Sequence, residues 1–247
     1  MQEDNSEPKV YKYRNFSENT DKIILNAELY FASHKSFNDP FDCNLSFRDI
    51  GSYTDKEFKE YCSENKKVNK TKVEYLNESK KILIKAKSEV GILSMSEDYK
   101  NILMWSHYAD NHKGLCFGFQ YGFYTEDEAT YSKVEYPKNK KYKQISFFNP
   151  PTGEIKRMFT TKSKFWKYEK EIRLLDLKSE KGVGVKTFRK EYLKEIIFGV
   201  EADETNIKKI IQLCQMNGFT EVKFKKAKLI PGKFALDFDE INMNIYM

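Results

Sequence analysis

The sequence contains no apolar run approaching the roughly 18 to 20 residues that a membrane-crossing helix needs, so no membrane partner is expected. Its opening residues, MQEDNSEPK, are polar and acidic, unlike the basic and apolar start of a secretory signal, and the expected compartment is the cytoplasm. The four cysteines, Cys43, Cys62, Cys116 and Cys214, lie far apart, without the paired spacing of a zinc knuckle or a compact disulfide framework. Free, mostly buried thiols are expected. There is no GxGxxG, no Walker loop, no HExxH, no GxSxG and no internal repeat. Function therefore has to be sought in weaker constellations.

What is present is a foldable chain. Its 247 residues are enough to bury a core, and the simplest reading is one domain over 1–247. The hydrophobic fraction of 40% and aromatic fraction of 15%, with 19 Phe and 16 Tyr, exceed what a disordered chain carries, even with 32% charged residues. The net charge of +6 is spread over the length, which permits a nucleic-acid partner without requiring one.

Periodicity places the elements. After a loose tail over the first nine residues, Val10, Tyr11 and Tyr13 make a β-prone run ending at Arg14, and 29–32 reads as a second strand before the turn-rich loop Asn38-Asp39-Pro40-Phe41-Asp42. Thr54-Asp55-Lys56-Glu57 has the form of a capping box, and Phe58, Tyr61 and Cys62 follow at helical spacing. A second helix fits 71–87, with Val73, Leu76, Leu83 and Ala86 facing inward, so 52–88 reads as a helical insertion whose lysines form a solvated face. Strand character returns from Val90, and Ser96 or Asp98 can cap a short helix carrying Ile102, Trp105 and Ala109. Further strands fit 115–120, 133–136, 169–177, 183–188, 193–200, 221–230 and 234–238. Helices fit within 155–168 and around Ile207, Ile210, Ile211 and Cys214. Strands outnumber helices without βαβ alternation. The expected fold is α+β, with a mainly antiparallel, strongly curved or two-sheet β core.

Two segments could carry chemistry. In Trp166-Lys167-Tyr168-Glu169-Lys170-Glu171-Ile172-Arg173 a strand period puts Glu169, Glu171 and Arg173 on one face, either a reactive ridge or a solvated face with a cross-strand ion pair. In Met104-Trp105-Ser106-His107-Tyr108-Ala109-Asp110 two aromatics and His107, a proton carrier near neutral pH, could line a pocket; the plainer reading makes Trp105 core and leaves the histidines at the surface. His107 and His112 are five apart, which argues against a helix-borne zinc pair. A pocket is expected to join Tyr13 or Arg14, the NDPFD loop, the WSHY helix and the E-x-E segment. Asp39, Asp42, Glu169 and Glu171 could instead gather Mg²⁺ for phosphodiester cleavage.

Taken together, the segments VYKYR at 10–14, FNDPFD at 37–42, LMWSHYADNHKG at 103–114 and KFWKYEKEIR at 164–173 resemble the bacterial domain-of-unknown-function family numbered 2971. A second, fold-level resemblance is to ADP-ribosyltransferases of the arginine, serine, glutamate type: Arg14, then Ser94-Met95-Ser96, then Glu169-Lys170-Glu171 follow in that order. That resemblance implies NAD as substrate, with Arg14 on the dinucleotide phosphates, the serines supporting the nicotinamide-ribose pocket and Glu171 stabilising an oxocarbenium-like transition state. With the pocket residues read from the segments themselves, the catalytic candidates are Glu171, Glu169, His107 and Tyr108, and the binding candidates are Tyr13, Arg14, Asn38, Asp39, Ser94, Ser96 and Trp105. The acceptor would be a protein or a nucleic acid, in a bacterial defence or toxin setting such as phage defence. A non-catalytic sensor or interaction module is the third class left open.

Overall fold

The computed structural model describes residues 8–44, 46–65, 69–138, 144–148, 152–178 and 181–243. Most of the expected N-terminal tail lies outside them. Ten strands run β1 (Lys9–Arg14), β2 (Glu28–Phe31), β3 (Gly91–Ser96), β4 (Leu115–Gln120), β5 (Thr130–Lys133), β6 (Glu171–Asp176), β7 (Gly184–Thr187), β8 (Leu193–Phe198), β9 (Lys223–Leu229) and β10 (Leu236–Glu240). Six α-helices are interspersed: α1 (Glu18–Leu25), α2 (Asp55–Glu64), α3 (Lys72–Glu89), α4 (Ile102–Tyr108), α5 (Thr152–Thr160) and α6 (Glu204–Met216). Eight strands form one sheet in the order β10-β9-β8-β4-β1-β3-β6-β5, and β2 pairs with β7 in a second, small sheet. Every neighbouring pair is antiparallel except β8 and β9, which α6 connects as a parallel crossover. The fold is α+β, as the element pattern predicts.

The large sheet is continuous in order but not in pairing. β1 pairs with β4 over six residue pairs and β3 with β6 over six, whereas β1 and β3 share the single pair Tyr11↔Ser96. Beyond that rung the two strands part, and the sheet becomes two halves joined at one point. Here lies the choice between one curved sheet and two: the structure takes an intermediate form.

Both faces of the sheet are covered, which explains why β4 (LCFGF) reads as a continuous apolar run. On one face Ile23 and Ile24 of α1 and Ile207, Ile210, Ile211 and Cys214 of α6 pack on Val10, Phe117, Phe119, Ile196 and Phe198. On the other, Trp105 and Met104 of α4 pack on Tyr11, Tyr13, Cys116 and Ile197. Burial of each such large side chain is worth about 1.5–3 kcal/mol. α1 has no counterpart among the sequence expectations; Ser17 caps it, its side chain accepting from the Thr20 amide.

The segment 52–88 carries α2 and most of α3 among its described residues, and both helices open on complete capping boxes, Thr54 with Glu57 and Thr71 with Glu74. Its packing is thinner than its periodicity suggests. Leu76 is buried and Leu83 packs beside it, but Val73 and Ala86 are exposed; the pair is held by an aromatic cluster of Tyr53, Phe58, Tyr61, Tyr75, Phe147 and Phe148. The cap of α4 is neither Ser96 nor Asp98 but Asn101, which accepts from the Leu103 amide. The segment 155–168 divides between the end of α5 and a 3-10 turn over Lys164–Glu169, and the strand expected at 133–136 lies slightly earlier, as β5. The cysteines are free, with Cys43, Cys116 and Cys214 buried. No helix among the described residues is long and apolar enough to cross a membrane.

One glycine fixes the strand that carries the basic residues. A Cβ on Gly114 would stand 2.2 Å from the Arg14 carbonyl oxygen, a backbone atom that can move only with β1. Gly114→Ala is therefore expected to cost about 1–3 kcal/mol, the range for overpacking, as a lowered urea midpoint with an unchanged m-value; a midpoint equal to wild type would show that β1 yields freely.

Candidate functional site

The parting of β1 from β3 opens into a cleft of about 1000 Å³. Alternation along β1 turns Tyr11 and Tyr13 toward α4, so Lys12 and Arg14 belong to the opposite face, that of Val10 and α1. Where a ladder bond to β3 would continue, the Lys12 Nζ donates instead to the Ser94 carbonyl oxygen at 2.7 Å. No carboxylate lies within ion-pair distance of Lys12 or Arg14 among the described residues. Among the described residues the buried Nε of Arg14 has no hydrogen-bond acceptor, and burial lowers its pKa. Burial, reinforced by Arg14, brings the Lys12 ammonium down to about 7.

Across the cleft stands a buried cluster of alternating charge. Glu171 receives the Arg173 Nε on Oε1 at 2.7 Å, and on Oε2 the Arg173 Nη2 at 3.0 Å and the Lys162 Nζ at 3.2 Å. Arg173, fully buried, also donates to Asp42 at 2.6 Å, to the Phe159 carbonyl at 2.7 Å and to the Cys43 sulfur at 3.2 Å. Lys162 bridges Glu169 at 2.5 Å, Glu171 at 3.2 Å and Asp42 at 3.5 Å. The Tyr108 hydroxyl donates to Glu169 at 2.6 Å. Burial alone would raise the pKa of Glu171, but Arg173 and Lys162 outweigh it and hold the carboxyl well below its ordinary range, with the Ser94 hydroxyl assisting. For Glu169 burial wins, and neighbouring Glu171 adds to it, so its pKa is raised despite Lys162 and Tyr108.

The E-x-E segment is not built as a strand period requires. Lys170 is left-handed, with φ 43, and Glu169 closes the preceding 3-10 turn, so only Glu171 and Arg173 lie on β6. All six residues of β6 are buried, which rules out the solvated ridge as well. The two carboxylates meet through Lys162.

Of the residues singled out in the sequence, Tyr13, Arg14, Asn38, Ser94, Ser96, His107, Tyr108, Glu169 and Glu171 all line this cleft. Asp39 does not: it lines a smaller adjoining depression, where it accepts from the Trp166 indole at 2.6 Å. Trp105 does not either; its side chain is fully buried beneath Tyr13, with its indole donating to the Tyr99 carbonyl, so its place is the core. Ser96 borders the cleft, but its hydroxyl is committed to the Glu169 carbonyl at 2.6 Å and holds the turn before β6. Asp42, Glu169 and Glu171 already share the Lys162 ammonium where a cation would sit. Among the described residues no group of three His, Cys, Asp or Glu is arranged to hold a metal ion. Lys12 and Lys162 were invisible in the sequence, where a lysine in a lysine-rich chain carries no mark of burial.

These features define an α+β protein whose main sheet parts over a cleft with unpaired basic residues on one wall and a buried carboxylate cluster on the other. In family terms, residues 104–174 match the model of the family described as Protein of unknown function (DUF2971), the family that the sequence segments resemble. That stretch contains His107, Tyr108, Lys162, Glu169, Glu171 and Arg173. No curated protein and no solved structure matches the chain.

Removing Arg173 would leave Glu171 and Asp42 buried without their strongest partner. Arg173→Met is expected to destabilise the fold by about 3–5 kcal/mol at neutral pH. A depressed carboxylate pKa supplies stability that is complete above the unfolded value and disappears as pH falls through the folded value. The deficit should therefore shrink toward about pH 3, measured by urea unfolding at both pH values; an equal deficit at both would place the cost in packing instead of charge.

Proposed function

We propose that the cleft binds NAD and that the chain is an NAD-consuming, ADP-ribosyltransferase-like enzyme. The observation that carries this reading is that Arg14, Ser94 and Glu171, which stand 80 and 77 positions apart in sequence, line one cleft. The charge distribution supports it. Lys12 and Arg14 offer uncompensated positive charge to the dinucleotide phosphates, while three carboxylates face two cations in the opposite cluster, which is negative by one charge when Glu169 is ionised.

Cleavage of the nicotinamide–ribose bond sends the bonding pair to nicotinamide and leaves positive charge on the ribose. Glu171, held as a carboxylate by Arg173 and Lys162, is preorganised to oppose that charge without first shedding water. An acceptor hydroxyl, amine or water then attacks the ribose carbon and gives up a proton. Glu169, with its raised pKa, is the group suited to receive it, and the Tyr108 hydroxyl orients that carboxylate. His107 also lines the cleft. The Mg²⁺-dependent nuclease reading requires the metal to displace the Lys162 ammonium from the same oxygens.

Glu171→Gln should retain most of the affinity for NAD and lose turnover by about two to three orders of magnitude, the scale for removing one preorganised electrostatic group. Arg14→Ala should chiefly weaken binding. The assay is nicotinamide release from NAD by folded wild type and both variants, with protein, DNA and RNA acceptors supplied. Equal turnover by Glu171→Gln and wild type would remove Glu171 from its role; no NAD turnover by any of them, with Mg²⁺-dependent cleavage of nucleic acid instead, would favour the nuclease.

A further inference from the structure

The reading above gives Lys12, which lines the cleft, only a general attraction to the dinucleotide phosphates. It is half-buried on the face of β1 that otherwise contributes Val10 to the main core, an expensive place for a cation without a counterion. Its one hydrogen-bond acceptor is neutral, the Ser94 carbonyl across the parting. Two residues on along the same face, Arg14 is in the same condition, with an unsatisfied buried Nε. Other cations in the protein's interior are paired: Lys162 with three carboxylates, Arg173 with two, and the half-buried Lys9 and Lys225 with Glu195. Lys12 and Arg14 have no carboxylate partner among the described residues, and both line the cleft; half-buried Lys87, also without one, borders only the smaller depression beside it.

The geometry points to Lys12 and Arg14 acting together as a diphosphate clasp, with Lys12 as the residue that distinguishes a diphosphate from a monophosphate. This deepens, and rests on, the reading of the cleft as a dinucleotide site. Residues i and i+2 of a strand stand roughly 7 Å apart at their Cα atoms, so a long ammonium and a guanidinium can converge on adjoining phosphoryl groups. A point-charge ammonium and a planar guanidinium also divide the work, one meeting a single oxygen and the other a pair. The anionic groups within reach are few: Glu171 on β6 acts on Lys12 only at a distance and is already bound to Arg173 and Lys162, and the Cys116 thiol on β4 is buried with its pKa raised. Burial and the neighbouring Arg14 lower the pKa of Lys12, and a phosphate bound between the two would oppose both effects. Glu28 also lines the cleft, but among the described residues its carboxylate forms no ion pair with Lys12 or Arg14; it accepts from the Asn26 side-chain amide at 3.1 Å.

The test is calorimetric titration of the full chain with ADP, AMP and inorganic pyrophosphate, for wild type, Lys12→Met and Lys12→Arg. A charge-assisted hydrogen bond to phosphate corresponds to roughly a 10- to 100-fold change in affinity. ADP should bind wild type more tightly than AMP by about that factor. Lys12→Met should lose the preference, with ADP falling to the level of AMP, and Lys12→Arg should recover part of it. ADP affinity within about twofold of wild type in a folded Lys12→Met protein overturns the clasp, as does wild type that binds neither ADP nor pyrophosphate. Should Lys12→Met fail to fold, labelling of wild type with an amine-acylating reagent, read by mass spectrometry, replaces it: ADP must protect Lys12 and AMP must not, and equal labelling overturns the proposal. The two readings fail separately. A Lys12-dependent preference for ADP without nicotinamide release leaves the clasp standing and removes the transferase, whereas nicotinamide release with KM unchanged in Lys12→Met does the reverse.

Discussion

The Arg173 guanidinium is the fixed point of this structure. Buried completely on β6, it is anchored to Glu171 on its own strand, to Asp42 and Cys43 in the loop after β2, and to the Phe159 carbonyl at the end of α5. The loop, 130 residues away in sequence, and the helix end, 14 away, are thereby held to one side chain. A buried arginine is tolerable only when its donors are met, and the positions of the loop, the helix end and the two carboxylates follow from that requirement. Lys162 repeats the pattern beside it. The wall of the cleft is thus set by charge pairing, while apolar packing holds the strands behind it.

The opposite wall obeys the reverse rule. Lys12 and Arg14 are carried by a strand whose own positioning is secure, through six pairs to β4 and a close approach at Gly114, yet their charges are left open. Secure backbone beneath unmet side chains is the arrangement expected of groups that answer to something outside the chain.

How far this was legible in the sequence depended on whether the signal was local. The capping box at Thr54, the helix starting at Thr71 and the apolar run of β4 are local patterns, and each appears where its pattern predicts. The convergence of Arg14, Ser94 and Glu171 was foreshadowed only by order along the chain. A strand period takes in Glu169 because the left-handed turn at Lys170 leaves no mark in a non-glycine residue. α1 gives little local signal: it is eight residues long and draws its stability from packing, with a cap supplied by Ser17. For Trp105 an aromatic beside a histidine suggests a pocket, but the plainer core reading holds, and its partners in space are Tyr13 and the Tyr99 carbonyl. The roles of Lys12 and Lys162 could not be read at all, because a buried lysine and a solvated one are spelled alike.

The lone rung between β1 and β3 bears on the mechanics of the sheet. Six residue pairs join the strands on either side of this seam while one crosses it, supplemented by the bond from Lys12 to Ser94 and by the Tyr13 hydroxyl on the Asp98 carbonyl just beyond β3. Continuity across the parting therefore rests on side chains more than on the ladder: Leu93 and Met95 of β3 share one buried core with Val10 of β1 and Phe117 of β4, so any widening of the cleft must work against that packing.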